Sequence, residues 1–438
     1  MGAALRGARH FLAVREDIAI FLHLRMDQGD RPALPLRSTH AAWMEGVPAD
    51  FDSVGGAGER VSHADEVWVM KSSDSQYWVA FDHVRAFAAL TVFVWHFMHG
   101  QQQNGYPVPF EGAPFIPPLA ILDEGHTGVA IFMTLSGYLF AKLLDGKDII
   151  YRQFYLNRAL RLFPLLILVA ALKAVDMALF NYGDFHLYGK SLISGFVLPD
   201  WPNGGWSIAV ELHFYLILPF ILFLARRNSN FLLLILATAI IFRTGLYLSA
   251  GTVHHLAYST IFGRIDQFVL GVYFFIRRDW LANRVQLTIG ILLVFYIVFW
   301  LFNNAGGFYQ LGGIMPSQNV IWVFLPTLEG FAYATAIACY DRNMRFGTGK
   351  ISAVWAEYGK FSYSIYLLHF FVVFRVAEFI NERLISIENV YLALPFGVIL
   401  FLAMYPVSWL SYRFIEEPFL QFRKRYTAPR TPQKVLIQ

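Results

Sequence analysis

The amino-acid sequence predicts an all-α, polytopic integral membrane protein with about ten transmembrane helices and with both termini in the cytoplasm. Hydrophobic residues make up 56% of the 438 positions and charged residues only 15%, whereas soluble domains contain about 25% charged residues. Apolar segments long enough to cross a bilayer recur along the chain after residue 76. Lys and Arg are concentrated in alternate connections between these segments, which is typical of a multi-pass membrane protein.

The order of the predicted spans gives each connection a side of the membrane. If the first span enters from the cytoplasm, the connections predicted to lie outside contain only two Lys or Arg residues, Lys190 and Arg383. The other connections and the end of the chain are rich in both, as expected of cytoplasmic segments. The predicted spans are 77–98, 127–144, 164–181, 206–225, 230–249, 257–276, 285–302, 319–340, 361–379 and 391–412.

The first 69 residues differ from the rest of the chain in composition. They mix charged residues with Pro and Gly and show no sustained hydrophobic period, which predicts a poorly ordered extension. They also lack the apolar segment and cleavage site of a signal peptide, and Met70 is a second candidate start. The predicted organisation is therefore an extension over 1–69, a membrane domain over 70–425 and a short basic cytoplasmic tail over 426–438.

Composition and missing motifs exclude several kinds of function. Cys339 is the single cysteine, which excludes a disulfide framework within the chain and a metal site built from several cysteines. No spacing of His, Asp and Glu indicates a metal site, so we expect no metal. The net charge of +4 is small and does not suggest a nucleic-acid partner. The sequence also lacks the G-x-S-x-G, P-loop and H-E-x-x-H motifs.

The first predicted span carries ionisable residues, which are costly at membrane depth and usually mark function. Asp82 and Arg85 are three residues apart on one helix face, within pairing distance. His96 lies on nearly the same face near the outer end, about 16 Å from Arg85 along the helix axis. These groups either line a functional path or only connect neighbouring helices.

The fourth predicted span begins with Trp206 at the outer interface, where Trp is a common anchor. Glu211 lies about 7 Å deeper, close to the depth of His96, and shares one helix face with Ser207 and Tyr215. A carboxylate beside an imidazole orients it and raises its basicity. We therefore predict that Glu211 orients His96 as a general base; the alternative is a buried Glu that only bonds to a neighbouring helix.

Three Arg residues lie on the cytoplasmic side of the third span: Arg152, Arg158 and Arg161. Arg makes forked contacts with phosphate, so together they are candidates for binding a phosphorylated ligand. For any single one of them, ordinary positive-inside charge or a lipid headgroup is the simpler explanation.

Two later spans also contain polar residues. Tyr366 and His369 lie on one face of the ninth span, where His369 can face the same path as His96. Interhelical hydrogen bonding is the alternative role. In the sixth span, Arg264 and Asp266 either line that path or pair with their neighbours.

Taken together, these residues resemble the type 3 membrane acyltransferase family, the bacterial integral-membrane O-acyltransferases of surface carbohydrates. The resemblance covers residues 77–420 and begins with an Arg and a His separated by ten residues, Arg85 and His96, which Asp82 precedes. The other matching stretches, in order, are GVAIFMTLSG (128–137), RALRLFP (158–164), WSIAVE (206–211), SYSIYLLH (362–369) and SYRFIE (411–416).

The resemblance implies an O-acyltransferase, most simply an O-acetyltransferase, that lies in the bilayer of the bacterial cytoplasmic (inner) membrane. The donor would be acyl-CoA, with acetyl-CoA favoured, and the acceptor a carbohydrate or lipid-linked sugar outside the cytoplasm. His96 would act with Glu211, either as a general base or as the carrier of the acyl group, and Asp82 would hold Arg85. Donor-binding residues would be Arg85, Arg152, Arg158 and Arg161, and substrate-binding residues Trp206, Tyr215, Tyr366 and His369.

Two positions depart from the family pattern, because His83 and Ala130 stand where the family usually has Gly and Asp. An alternative function is a proton-coupled transporter of a polar metabolite, in which the intramembrane charges form a relay. Many such transporters contain internal repeats, and the sequence shows none. Lipopolysaccharide, exopolysaccharide, a lipid-linked sugar and a small secondary metabolite all remain open as acceptors.

Overall fold

The computed structural model describes residues 78–100, 107–109, 113–180, 183–199, 201–309, 316–343 and 349–429. The predicted extension, 1–69, lies outside the described residues, as does the end of the predicted tail. The described part of the chain is predominantly helical, which confirms the predicted all-α class.

The helices follow the order of the predicted spans, with short elements between them. They are α1 (Val79–His99), α2 (Ala120–Asp123), α3 (Gly128–Leu143), α4 (Tyr151–Phe180), α5 (Phe185–Ser194), α6 (Trp206–Arg227), α7 (Asn230–Ala250), α8 (His254–Ser259), α9 (Ile261–Ile276), α10 (Val285–Asn304), α11 (Leu325–Asn343), α12 (Lys350–Lys360), α13 (Ser362–Leu368), α14 (Val373–Phe379), α15 (Val390–Ala403), α16 (Tyr405–Ser411) and α17 (Glu417–Leu420). Single 3-10 turns include Gly125–Thr127 and His369–Phe371, and a π-helical turn covers Tyr412–Glu416.

All ten predicted spans fall on helical segments, but they differ in length and polarity. Five segments are long and apolar enough to cross a membrane, namely α4, α6, α7, α10 and the run Val390–Leu420. The pair Ser362–Phe371 and Val373–Leu384, bent by 52°, counts as a sixth if it forms one span. The protein is thus a multi-pass membrane protein, while the number ten and the cytoplasmic position of the termini stay predictions.

The more polar helices lie inside the bundle, and the more apolar ones lie around it. Only 22% of the most apolar window is buried in α4, α7 and α10, so most of these side chains face outwards. In contrast, most of α1, α3 and α9 is buried, and these helices carry ionisable or small residues. A polar side chain is tolerated there because neighbouring helices, rather than lipid, surround it.

Two glycines allow α3 and α9 to cross closely. A Cβ atom at Gly137 would collide with the backbone carbonyl of Phe268, and one at Gly271 would collide with that of Thr134. Such crossings of small residues let helix backbones approach in membranes, where no hydrophobic effect drives helices together. The stretch GVAIFMTLSG, residues 128–137, thus ends at Gly137, the glycine that permits this contact.

Two buried ion pairs join neighbouring helices. Arg243 donates to both carboxylate oxygens of Asp266, at 3.1 and 2.7 Å, and to the backbone carbonyl of Val323 at 2.8 Å. Arg264 pairs with Glu329 at 3.3 Å, which connects α9 to α11. Both polar residues of the sixth predicted span therefore pair with neighbours, and a partner matters because an uncompensated buried charge costs about 3–5 kcal/mol.

The described end of the chain is fixed to the start of α4. Strand β1 (Lys147–Ile149) pairs antiparallel with β2 (Thr427–Pro429). The Asn157 side chain adds two hydrogen bonds to the backbone of Lys424, at 2.6 and 3.0 Å. The beginning of the predicted tail is therefore an ordered strand.

Replacing Gly137 with Ala tests the close crossing of α3 and α9. Ala favours a helix over Gly by about 1 kcal/mol, yet we expect a net loss of about 1–3 kcal/mol because the new Cβ overpacks the contact. The readout is the thermal stability of purified protein in detergent. Gly290→Ala is the matched control, since a Cβ at Gly290 meets nothing within 4 Å; equal stability of the two variants would contradict the packing argument.

Candidate active site

Helix α1 carries the ion pair and the imidazole that the sequence places on one face. Arg85 donates to the carboxylate of Asp82, which is nearly buried, whereas the Arg85 side chain is 30% exposed. Gly359 of α12 packs directly against the backbone carbonyl of Asp82, leaving no room for a side chain. This contact holds the start of α1 in place and leaves the Arg85 guanidinium accessible.

His83, which departs from the family pattern, connects α1 to its neighbours. Its Nε2 atom lies 2.9 Å from the backbone carbonyl of Ser352, and its Nδ1 atom lies 2.9 Å from the hydroxyl of Tyr340. The carbonyl accepts from Nε2–H, so the Tyr340 hydroxyl donates to Nδ1 in the neutral ring. His83 therefore has a structural role beside Asp82.

His96 contacts a second histidine. Its Nδ1 atom is 3.0 Å from Nε2 of His369 and 3.0 Å from the backbone carbonyl of Val92. The two imidazole centroids are 4.9 Å apart, and the rings of Trp95 and Phe370 each lie 4.7 Å from that of His96. The structure thus brings together the two histidines that the sequence places in the first and ninth spans.

Hydrogen bonding assigns the proton positions when both rings are neutral. Carbonyl oxygens only accept, so Nδ1 of His369, 2.6 Å from the carbonyl oxygen of Tyr366, carries the proton. Nε2 of His369 then accepts from Nδ1–H of His96. The Nε2 atom of His96 has no hydrogen-bond partner among the described residues and retains a lone pair, which is what a general base or a nucleophile needs.

Glu211 hydrogen bonds elsewhere. Its carboxylate accepts from the hydroxyl of Tyr215 and from that of Ser136, the latter at 3.3 Å. Tyr215 lies one helical turn further along the same face of α6, so it reaches the carboxylate directly. In the described part of the chain, Glu211 makes no hydrogen bond to His96, and His369 is the partner of His96 instead.

Tyr366 connects the beginning of α6 to the histidine pair. Its hydroxyl accepts from Ser207 at 2.8 Å and donates to the backbone carbonyl of Gly204 at 3.0 Å. Its own backbone carbonyl accepts from His369. The predicted substrate residues Tyr366 and His369 therefore belong to one hydrogen-bonded chain that ends at His96.

Trp206 lies in an aromatic group at the same end of α6. Its ring centroid is 4.6 Å from that of Tyr258, and both side chains are partly exposed. The guanidinium of Arg264 lies over Tyr258 at 4.6 Å and over Trp206 at 6.0 Å. These are cation–π contacts, which fix the two rings against the buried Arg264–Glu329 pair.

Three of the four Arg residues predicted to bind the donor lie at the start of α4, and two of these three are partly enclosed. Arg152 is exposed. Arg161 is 3.8 Å from the buried carboxylate of Glu416 and 6.0 Å from the ring of Tyr363. The guanidinium of Arg158 lies between 5.4 and 6.0 Å from four aromatic rings, those of Phe140, Phe154, Tyr215 and Tyr426.

Two buried carboxylate–imidazole pairs at the other end of α1 are not predicted from the sequence. Asp123 accepts from His99 at 3.0 Å and from Asn303 at 2.7 Å, and Glu124 lies 3.2 Å from His126. Burial raises the pKa of Glu124 well above its ordinary value. The D-E-G-H run that contains three of these residues lies in a predicted connection, where no helical spacing draws attention to it.

Within the described ranges, no three or more His, Cys, Asp or Glu side chains form a group that could hold a metal ion.

Comparison with known proteins adds an independent line of evidence. A family model described as an acyltransferase domain matches residues 78–413. A protein of Bacillus subtilis (strain 168), named "Putative peptidoglycan O-acetyltransferase YrhL", is 28% identical in an alignment of 222 residues that covers 43% of this chain. The match spans 32% of that relative's length. No solved structure matches the chain.

The proton positions assigned to His96 can be measured directly. Nitrogen NMR of isotope-labelled histidines in lipid is expected to show His96 with a protonated Nδ1 and an unprotonated Nε2, because His369 and Val92 both accept from Nδ1. The His96→Gln variant identifies the signal by its loss, and exposed His186 gives the reference for an unconstrained ring. A proton on Nε2 of neutral His96 would contradict the assignment.

Proposed function

The chain belongs to the type 3 membrane acyltransferase family and is an acyltransferase, and from that premise we propose that it transfers an acyl group from cytosolic acyl-CoA to a hydroxyl of an extracytoplasmic carbohydrate. Acetyl-CoA is the favoured donor, because the Bacillus subtilis relative is named an O-acetyltransferase. The proposed location is the cytoplasmic (inner) membrane of a bacterium, where donor and acceptor lie on opposite sides.

The acceptor class rests on that relative and on the aromatic group at the beginning of α6. The relative is named for peptidoglycan, which supports a cell-envelope carbohydrate as acceptor. Trp206 and Tyr258 present partly exposed rings, and binding sites for organic ligands are commonly lined by such rings with a few polar groups. We propose that these two rings and the hydroxyl of Tyr366 contact the acceptor.

The single observation that carries the mechanism is the position of His96 Nδ1, which lies 3.0 Å from both Nε2 of His369 and the Val92 carbonyl and so leaves the lone pair on Nε2. In the proposed step, this nitrogen removes the proton of the acceptor hydroxyl while the hydroxyl oxygen attacks the thioester carbonyl of acyl-CoA. The carbon–sulfur bond breaks, and the proton on Nε2 passes to the departing thiolate. An ester and free CoA result, and His96 returns to its neutral form.

His369 is proposed to orient His96 in place of the expected carboxylate. It accepts from Nδ1–H of His96 at 3.0 Å, both before and after Nε2 takes a proton. The ring of His369 is itself fixed, because its Nδ1–H donates to the Tyr366 carbonyl. We assign Glu211 a different role, namely to hold Tyr215, whose ring lies 6.0 Å from the Arg158 guanidinium.

The donor is proposed to enter at the end of α1 that carries Arg85. Asp82 fixes this Arg, and Arg158 and Arg161 of α4 supply two further guanidinium groups for the CoA phosphates. Along α1, Arg85 and His96 are about 16 Å apart. The flexible pantetheine arm can extend over that distance and bring the thioester to His96.

Replacement of His96 by Ala tests the mechanism. Transfer of label from acetyl-CoA to envelope carbohydrate is expected to fall by at least about 10²-fold, because the proton acceptor is lost. The variant should still accumulate in membranes as folded protein. His186→Ala, at an exposed histidine, is the matched control and should retain full activity.

Mass spectrometry of the glycans completes this test. Acetylation that depends on the wild-type protein supports the proposed function, whereas substantial transfer by the His96→Ala protein would refute the role of His96. If label stays covalently attached to His96 after denaturation, the reaction proceeds through an acyl-histidine intermediate rather than by direct attack of the acceptor hydroxyl on acyl-CoA.

A pair of substitutions distinguishes His369 from Glu211 as the group that orients His96. His369→Leu is expected to lower kcat by about 10²-fold at an unchanged KM for acyl-CoA, because the Nδ1–H of His96 loses its side-chain acceptor and keeps only the Val92 carbonyl of its own helix. His369→Gln retains an acceptor and should recover part of kcat. Glu211→Gln should instead raise KM for acyl-CoA. If Glu211→Gln lowered kcat and His369→Leu did not, Glu211 rather than His369 would be the group that orients His96.

A further inference from the structure

Arg423, which lies just before strand β2, joins the Arg residues of α4. It follows the last helical turn of the described chain. The positive charges of Arg161 and Arg158 are close enough to repel its own positive charge. Burial, and then these two charges, lower the pKa of Arg423 to about 10. In the sequence, nothing distinguishes Arg423 from the basic residues around it.

The cluster of Arg158, Arg161 and Arg423 contains three positive charges, and among the described residues a single carboxylate forms an ion pair with it. Glu416 is the carboxylate paired with Arg161, and it is 3.8 Å away. Among the described residues, neither Arg158 nor Arg423 forms an ion pair. The buried Nε atoms of both also lack a hydrogen-bond partner there. Unpaired guanidinium groups in a partly enclosed site are costly, unless an anion binds between them.

A second basic region does not have this imbalance. A cleft of about 320 Å³ is lined by Lys142, Lys147 and Arg278 together with Trp78, Leu143, Asp145 and Phe275. Lys142 is paired with Asp341 at 2.5 Å, and Arg278 with Asp145 at 3.6 Å. Its cations are largely neutralised by the protein itself, so the Arg cluster is the better anion site.

The backbone, rather than an ion pair, positions Arg423. The next residue, Lys424, exchanges two hydrogen bonds with Asn157, and the Tyr426 carbonyl accepts from the backbone N–H of Ile150 at 2.8 Å. The Tyr426 ring also lies 5.9 Å from the Arg158 guanidinium. The segment 423–426 therefore supplies the guanidinium of Arg423, and its Tyr426 ring packs beside the guanidinium of Arg158.

We propose that Arg423, together with Arg158 and Arg161, binds a phosphate group of the nucleotide end of the acyl donor. The inference rests on the proposed function, because that function supplies a phosphorylated donor on this side of the protein. The chain beyond α17 is then part of the donor site, and the pairing of β1 with β2 holds it there. Forked donation from three Arg residues suits phosphate oxygens.

Binding of CoA and of pantetheine, which lacks the nucleotide, tests this inference without knowledge of the acceptor. Protein in phosphatidylcholine nanodiscs is titrated by calorimetry. Arg423→Gln is expected to weaken CoA binding by roughly 10- to 100-fold, because one charge-assisted contact is lost, and to leave pantetheine binding unchanged. Arg423→Lys should recover part of the affinity. The control Lys424→Gln removes one neighbouring positive charge from an exposed side chain and should have little effect.

The outcomes separate this inference from the proposed function. CoA binding that Arg423→Gln leaves unchanged would overturn only the role of Arg423, as would an equal loss for CoA and pantetheine. A wild-type protein that binds no CoA would overturn the proposed donor and this inference with it. An effect of Arg423→Gln that occurs only when phosphatidylglycerol is added would assign the cluster to a lipid headgroup and refute the nucleotide site.

Discussion

The hydrogen bond between His96 and His369 is the interaction on which the proposed chemistry depends. Nε2 of His96 keeps its lone pair because Nδ1 of His96 carries the proton that both His369 and the Val92 carbonyl accept. His369 can accept because its own Nδ1–H donates to a backbone carbonyl. That carbonyl belongs to Tyr366, whose hydroxyl is held by the turn before α6. The proton position on one ring therefore depends on the packing of three separate parts of the chain.

The same need for partners explains the arrangement of the helices. Polar residues lie on α1, α3, α9 and α11, which other helices surround, while α4, α7 and α10 turn apolar residues outwards. Gly137 and Gly271 bring α3 and α9 close enough to enclose such residues. Interior charges are then held in pairs, as Arg243 is with Asp266.

The sequence predicts features that depend on one helix at a time. The spacing of Asp82 and Arg85 predicts their pairing. The common helix face of Glu211 and Tyr215 brings the Tyr215 hydroxyl within hydrogen-bonding distance of the Glu211 carboxylate. The sequence does not predict which helix packs against which face, so it assigned Glu211 to His96, although His369 is the observed partner. Arg423 was missed for a similar reason, since only the pairing of β1 with β2 brings the chain end back to α4.

One face of α6 connects the two ends of the proposed reaction path. At its beginning, Ser207 donates to Tyr366, which adjoins the histidine pair. Two turns later, Tyr215 packs on Arg158, the guanidinium proposed to hold the donor. Glu211 lies between them and bonds to Ser136 of α3, so α6 is fixed midway as well. Because one rigid helix spaces all three contacts, the distance between the proposed donor site at Arg158 and the proposed base, His96, is set by the helical repeat rather than by a flexible loop.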